Sequence, residues 1–169
     1  MEVDSFRFLS PLIKRYYQLS RVRKELPIPF APLRKPLSES RFGLVTSGGL
    51  YHEGREQPFD AERERREPAW GDPSFRTLST DMDPAEVGIS HLHINREDAL
   101  ADMNILLPIQ RFRELAAEGR VGSLAMHAYS FMGYQGFPAD LTGWKNTYGP
   151  EVRDRLLAEE VDCVLLGTA

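Results

Sequence analysis

The sequence is short of cysteine: Cys163 stands alone, so no disulfide can close within the chain. Such usage suits a reducing, cytoplasmic setting. It also lacks any apolar run approaching the roughly 18 residues of a membrane span. Its N-terminal stretch MEVDSFRFLS has no basic segment followed by an apolar one, so no secretory signal is expected. Basic charge is not in excess either, since 21 Lys and Arg against 25 Asp and Glu leave a formal net charge of −4. Nucleic acid is therefore not an expected partner, because neutralising phosphates needs a basic face. Internal repeats and low-complexity tracts are absent as well. What is present is the composition of a soluble domain, 41% hydrophobic and 27% charged over 169 residues, enough for one packed core.

Along the chain, Phe8, Leu9, Leu12, Ile13, Tyr16, Tyr17 and Leu19 recur at mostly helical spacing and predict an amphipathic helix over Ser5–Lys24. Four prolines within residues 26–37 then predict an extended connector, since proline neither continues a helix nor donates to a central strand. These two pieces form an expected N-terminal segment, residues 1–40, ahead of an α/β domain at 41–169. Within that domain Arg41–Thr46 and Phe75–Ser79 read as short strands. The tract between them, from His52 to Pro73, is charge-mixed and broken by prolines, and reads as a solvated excursion. Helices are expected at Arg96–Met103, at Pro108–Glu118 with Gly119 as its cap, and at Pro150–Glu160 with proline in its first turn. Strands are expected at Val121–Ala125 and Val161–Leu166. Alternating strands and helices imply a mainly parallel, Rossmann-like sheet with right-handed crossovers and flanking helices.

Three constellations could carry chemistry. Thr46–His52, TSGGLYH, follows a strand with small residues, so Ser47, Gly48 and Gly49 could let backbone approach a ligand; a plain tight turn explains the glycines equally. It lacks the spacing of a dinucleotide fingerprint. In ISHLHINRED, Ile89–Asp98, His91 and His93 alternate with Leu92 and Ile94, which in an extended segment puts both imidazoles on one side, near Asn95, Asp98 and Asp102. Such a pair could act in proton transfer, recognise a substrate carboxylate, hold a divalent metal such as zinc or iron, or simply bond to nearby backbone. Met126–Phe137 reads as a loop after a strand, with His127, Tyr129, Ser130 and Tyr134 as candidate ligand-binding groups, or as a rim of aromatics closing the core. Cys163, inside an apolar run, reads as a buried small hydrophobe rather than a nucleophile.

Taken in order, GDPSFR (Gly71–Arg76), ISHLHI (Ile89–Ile94), the run Asp102–Ala125 and YSFMGY (Tyr129–Tyr134) resemble the selenoprotein B family of glycine, sarcosine, betaine and D-proline reductases. The likeness extends from about Gly43 to the end. It implies reductive cleavage of a C–N bond in a small amino acid or betaine-like substrate. A selenocysteine or cysteine attacks an α-carbon activated by a pyruvoyl-bearing partner subunit, and a second thiol resolves the product. Such chemistry needs a soft nucleophile of depressed pKa, best placed where a strand meets a helix N-terminus. His91 and His93, the Gly48-Gly49 turn and the Tyr129–Tyr134 segment are the framework residues this resemblance carries over as pocket walls.

The same resemblance places the redox residue just after a strand like Val161–Leu166, and the sequence stops at Ala169 without it. Three expectations compete: a UGA codon read as stop, a short relative without the redox step, or a missing part supplied by another chain. The functional expectations are correspondingly a reductase, a non-redox enzyme using His91 and His93 with or without metal, and an accessory or ligand-binding subunit. A last strand with an open edge also suggests a homo-oligomer or a partner chain.

Overall fold

A computed structural model describes residues 10–19 and 31–169. Two compact units are distinguished, Met1–Pro32 and Leu33–Ala169. In the first, α1 (Pro11–Leu19) forms with Ser10 as its cap, whose Oγ accepts the N–H of Ile13 at 3.4 Å. The remainder of the helix expected over Ser5–Lys24, and the connector as far as residue 30, lie outside the described residues.

The second unit is organised around β1 (Arg41–Thr46). Strands β5 (Ser123–Leu124), β6 (His127–Phe131) and β7 (Cys163–Gly167) all run parallel to it. β5 meets its first half and β6 its second half, while β7 pairs along nearly its whole length on the other side. Alternation explains how one strand serves two cores. Phe42 and Leu44 face α4 (Ile109–Ala117), with the Phe42 and Phe112 rings 5.2 Å apart. Val45 instead packs toward α5 (Gly149–Ala158) with Val152 and Leu156. Gly43 shares the α5 side, and a Cβ there would lie 2.6 Å from Leu156 Cδ2, so glycine permits the close approach of that helix.

The α/β class holds, but the sheet is mixed rather than mainly parallel, and to that extent departs from the Rossmann-like arrangement expected. β3 (Phe75–Ser79) pairs with β6 antiparallel, and β2 (Leu50–His52) with β4 (Val87–Ile89) makes a separate antiparallel ribbon. β3 enters from the polar tract and not from a crossover helix, and side-chain pattern carries no strand direction. The tract itself is not merely solvated. It contains α2 (Ala61–Arg66), capped by Asp60 Oδ1 at 2.9 Å from Arg63 N, and it buries Phe59 and Glu64. Val121–Ala125 shrinks to the two residues of β5, whereas His127–Phe131, expected as loop, is a core strand. The helix expected at Arg96–Met103 divides into α3 (Arg96–Ala101) and a 3₁₀ turn, Met103–Ile105. Among the described residues no helix is long and apolar enough to cross a membrane.

Candidate functional site

β1, β6 and β7 end side by side, with Thr46 opposite Ser130 on one flank and Gly167 on the other. Beyond those ends the chain must turn, and small residues allow the turns to nest. Ser47 N–H donates to Gly167 O at 3.0 Å, and Ser47 Oγ accepts the N–H of Ala169 at 3.0 Å. Gly48 N–H donates to Thr46 Oγ1 at 3.0 Å, and Gly49 N–H to Phe131 O at 2.9 Å. These donors are consumed within the fold, so the turn is not an open anion nest. Its glycines serve a different purpose. Gly49, at φ 64°, has room for a Cβ only 3.1 Å from His91 N, and a Cβ on Gly133 would lie 2.9 Å from His91 Nε2 and 3.0 Å from Ser47 O. The absent side chains admit the His91 ring between the two turns.

His91 is buried, and its Nδ1 accepts the backbone N–H of His93 at 3.1 Å. In the neutral ring that acceptor fixes the proton on Nε2, which faces Gly133 and Ser47. Burial, followed by the nearby His93, pushes the His91 pKa below its ordinary value, so the neutral donor is the favoured form. The two imidazoles do meet, 5.9 Å apart and nearly perpendicular, but not as alternate residues of a strand. Their segment bends after β4 because Asn95 turns to cap α3, accepting Glu97 N–H at 3.2 Å. His91 therefore goes inward, while His93 is 57% exposed at its side chain and lies 5.0 Å from the Tyr134 ring. Asp98 and Asp102 are spent locally: Asp98 takes Asn95 Nδ2 at 2.7 Å, and Asp102 caps the 3₁₀ turn through Asn104 N–H at 3.0 Å.

Sequence reasoning missed Glu64. Its carboxylate is 4% exposed and its Oε1 stands 3.3 Å from His93 Nε2, an ionic approach without hydrogen-bond geometry. Burial raises its pKa above the usual carboxylate range, and the His93 charge partly opposes this. No pattern in AERERR marks one glutamate for burial; the only hint is Phe59, an aromatic just ahead of the Asp60 cap.

Of the residues expected to bind a ligand, Ser47, Gly48, Gly49 and Tyr134 come together here with His91 and His93. His127 does not: it opens β6 at the opposite end, where its Nδ1 lies 2.6 Å from Glu159 Oε1. Tyr129 packs in the α5 core with its ring 5.7 Å from Phe75, and Ser130 Oγ accepts Leu50 N–H at 2.7 Å to tie the ribbon to the sheet. Their strand leaves them walls of the core, not a mobile rim. The metal expectation for His91 and His93 is also not supported geometrically. Among the described residues no three His, Cys, Asp or Glu side chains gather as an ion would require, and His91 Nδ1 is already engaged.

Beneath Ser47 on the α5 side runs an apolar cleft of about 290 Å³ lined by Val45, Phe131, Trp144, Leu166 and Thr168. Trp144 Nε1 is buried there without a hydrogen-bond partner. It neighbours a second apolar groove, of about 350 Å³, between α5 and β7. Val164, Leu165 and Leu166 of β7 are 44%, 39% and 70% exposed, and Leu157 of α5 is 63% exposed.

Fold and site thus define an α/β protein whose polar groups collect at the carboxyl ends of parallel strands, the usual ligand position in such sheets. The glycine/sarcosine/betaine reductase selenoprotein B family model matches residues 14–169, and the chain belongs to that family. It is 31% identical over 140 residues to the D-proline reductase subunit gamma of Acetoanaerobium sticklandii, covering 83% of this chain and 53% of that one. It is 26% identical over 140 residues to the glycine reductase complex component B subunit gamma of Carboxydothermus hydrogenoformans, covering 82% of this chain and 30% of that one. With the protein of that same description from Symbiobacterium thermophilum it shares 29% over 141 residues, again 82% and 30%. The chain therefore spans about half, or less, of the curated relatives it matches. No solved structure gives a significant match.

Proposed function

We propose that this chain supplies the substrate-facing part of a cytoplasmic B-type reductase subunit that cleaves the C–N bond of a small amino acid or betaine. The observation that carries the reading is the convergence of Ser47, His91 and Gly133 with the end of β7 at one strand terminus. His91 Nε2–H is a neutral, buried donor suited to a substrate carboxylate oxygen, because the engaged Nδ1 keeps the proton on the nitrogen that faces the turn. Ser47 Oγ adds a hydroxyl 3.0 Å from the Ala169 N–H. The apolar cleft below suits methylene or methyl groups of a small amine. A selenol or thiol placed after a strand equivalent to β7 supplies the nucleophile in the family this chain resembles; Cys163, half-buried within β7, does not take that role. The activated substrate would come from a pyruvoyl-bearing partner subunit, with a thiol donor closing the cycle, and the exposed β7 edge suits contact with another polypeptide or a second copy.

Binding tests the reading directly. D-proline, glycine, sarcosine and glycine betaine are titrated into the protein while melting temperature and backbone amide shifts are followed. At least one should raise the melting temperature and perturb Ser47, His91 and Gly133, since a ligand of the folded state alone stabilises it by mass action. Silence with all four, or shifts confined to residues around His127, would sink it. Stoichiometric metal in the purified protein, lost in His91→Ala, would instead favour the non-redox reading.

A further inference from the structure

α2 is the most highly charged helix of the fold, AERERR, and five of its six residues keep contact with solvent. Glu64 alone turns inward. A carboxylate loses hydration on burial and normally recovers it through hydrogen bonds or a full ion pair. Here Oε1 accepts no hydrogen bond: Arg63 is taken by Glu67 at 3.0 Å, the Arg65 charge acts on the carboxylate more weakly than His93 does, and Asp72, the other carboxylate felt at this site, lies 3.7 Å from Arg76. What stands over Oε1 is His93 Nε2, at 3.3 Å. Three contacts hold His93, two of them on its ring. Its backbone N–H is anchored on His91 Nδ1, the Tyr134 ring lies beside it, and Glu64 lies beneath it. Nε2 is turned to the carboxylate, the side chain is 57% exposed, and the ring lies 5.9 Å from that of His91. An exposed imidazole standing over a buried carboxylate is an arrangement suited to proton transfer.

We propose that His93 is the proton donor to the departing nitrogen in this site, and that Glu64 is the positioning residue that orients its ring and fixes its tautomer. The inference rests on the reductase reading above. In the step, a substrate bound as its neutral amine loses its C–N bond with the electron pair staying on nitrogen, and His93, as the imidazolium, passes its Nδ1 proton to that nitrogen and is left as the neutral Nε2–H ring. The carbon is taken at the same time by a selenol or thiol nucleophile, and His93 regains a proton from solvent. A substrate bound as an ammonium, quaternary or protonated, leaves as a neutral amine and accepts no proton, so this role is specific to amines bound unprotonated, which a quaternary substrate can never be.

Two measurements decide it. In the 169-residue protein, the Glu64 carboxyl carbon is followed by NMR titration in the wild type and in His93→Gln, and the His93 ring nitrogens in the wild type and in Glu64→Gln. The Glu64 midpoint should lie above the ordinary carboxylate range and rise further in His93→Gln; the Nε2–H tautomer should dominate and be lost in Glu64→Gln. A Glu64 midpoint indifferent to His93, or a tautomer indifferent to Glu64, overturns the dyad whatever the activity. His93 is exposed, so His93→Gln should keep the melting temperature. In the assembled reductase, His93→Gln should slow cleavage of D-proline or glycine by roughly 10²- to 10⁴-fold, the range of general acid catalysis, and spare glycine betaine. Equal loss on both substrate classes, no loss on either, or turnover of betaine alone removes the proton-delivery role. Failure of the wild type on every amine removes the reductase reading instead, and the NMR result then stands on its own.

Discussion

Gly133→Ala offers a quantitative probe of the nested turns. Gly133 does not lie in the left-handed region, so the cost of a methyl group is steric. Three atoms oppose it: His91 Nε2 at 2.9 Å, Ser47 O at 3.0 Å and Ser47 Oγ at 3.4 Å. None is the free end of a flexible chain. Ser47 is held by its N–H on Gly167 O, and His91 by the His93 N–H on its Nδ1. Forcing a methyl into a packed site costs about 1–3 kcal/mol. With a urea m-value of about 1–3 kcal/mol/M, a loss of 2 kcal/mol lowers the unfolding midpoint by roughly 1 M. Equilibrium urea unfolding should show that shift with an unchanged slope. The double variant Gly133→Ala/His91→Ala should recover part of the loss, because one of the three opposing groups is gone, and coupled neighbours typically interact by about 0.5–3 kcal/mol. A Gly133→Ala protein as stable as wild type, or strict additivity in the pair, would refute the picture of a His91 ring wedged between two turns.

Other perturbations follow from the same geometry. His91 has a depressed folded pKa, so below about 6.5 the unfolded chain binds a proton the native site refuses; stability should fall as pH drops below that value, and His91→Gln should flatten the slope in urea unfolding. Asp162 accepts from Lys35 Nζ at 2.7 Å and from Arg41 N–H at 2.8 Å, and its pKa is lowered, chiefly by the Lys35 contact. Its stabilisation is present above the ordinary aspartate range near 3.9 and lost as pH falls through the lower folded value; Asp162→Asn should therefore be less stable than wild type at neutral pH and indistinguishable in strong acid. Leu166→Glu, at a side 70% exposed, should change unfolding free energy by no more than about 0.5 kcal/mol while weakening any association seen by light scattering; a larger loss would mean the β7 face is core.

Two strands, Arg41–Thr46 and Phe75–Ser79, were legible to the residue, the first because Ser47-Gly48-Gly49 closes it, although neither shows a clean alternation. The helices at Ile109–Ala117 and Gly149–Ala158 were legible through their caps, with Gly119 at φ 69° ending the first. β2 and β4 were not, since three residues are too few to display a period of two. β6 was misread because its middle is packed on both faces: Tyr129 and Phe131 face α5, while Ala128 and Ser130 face the other side, so polar and aromatic residues interleave as they would in a loop. His91 and His93 were found by their spacing, yet their separation into one buried and one exposed ring depends on the Asn95 cap. Glu64 escaped for a deeper reason, because which glutamate of a charged helix faces inward is decided by where that helix docks.

One consequence of the sheet order concerns synthesis. β1 is the hub of the sheet, and β7, which covers nearly its whole length, is the last of the described strands: Arg41 and Asp162, hydrogen-bonded in the fold, are separated by 121 residues. At roughly 5–20 residues per second, a ribosome takes about 6–24 s to cover that distance. For all of that time the growing chain presents the apolar RFGLVT segment with one edge unpaired. Pairing on that edge therefore waits until β7 has been synthesised, and the early strand depends on the rest of the unit for its partner.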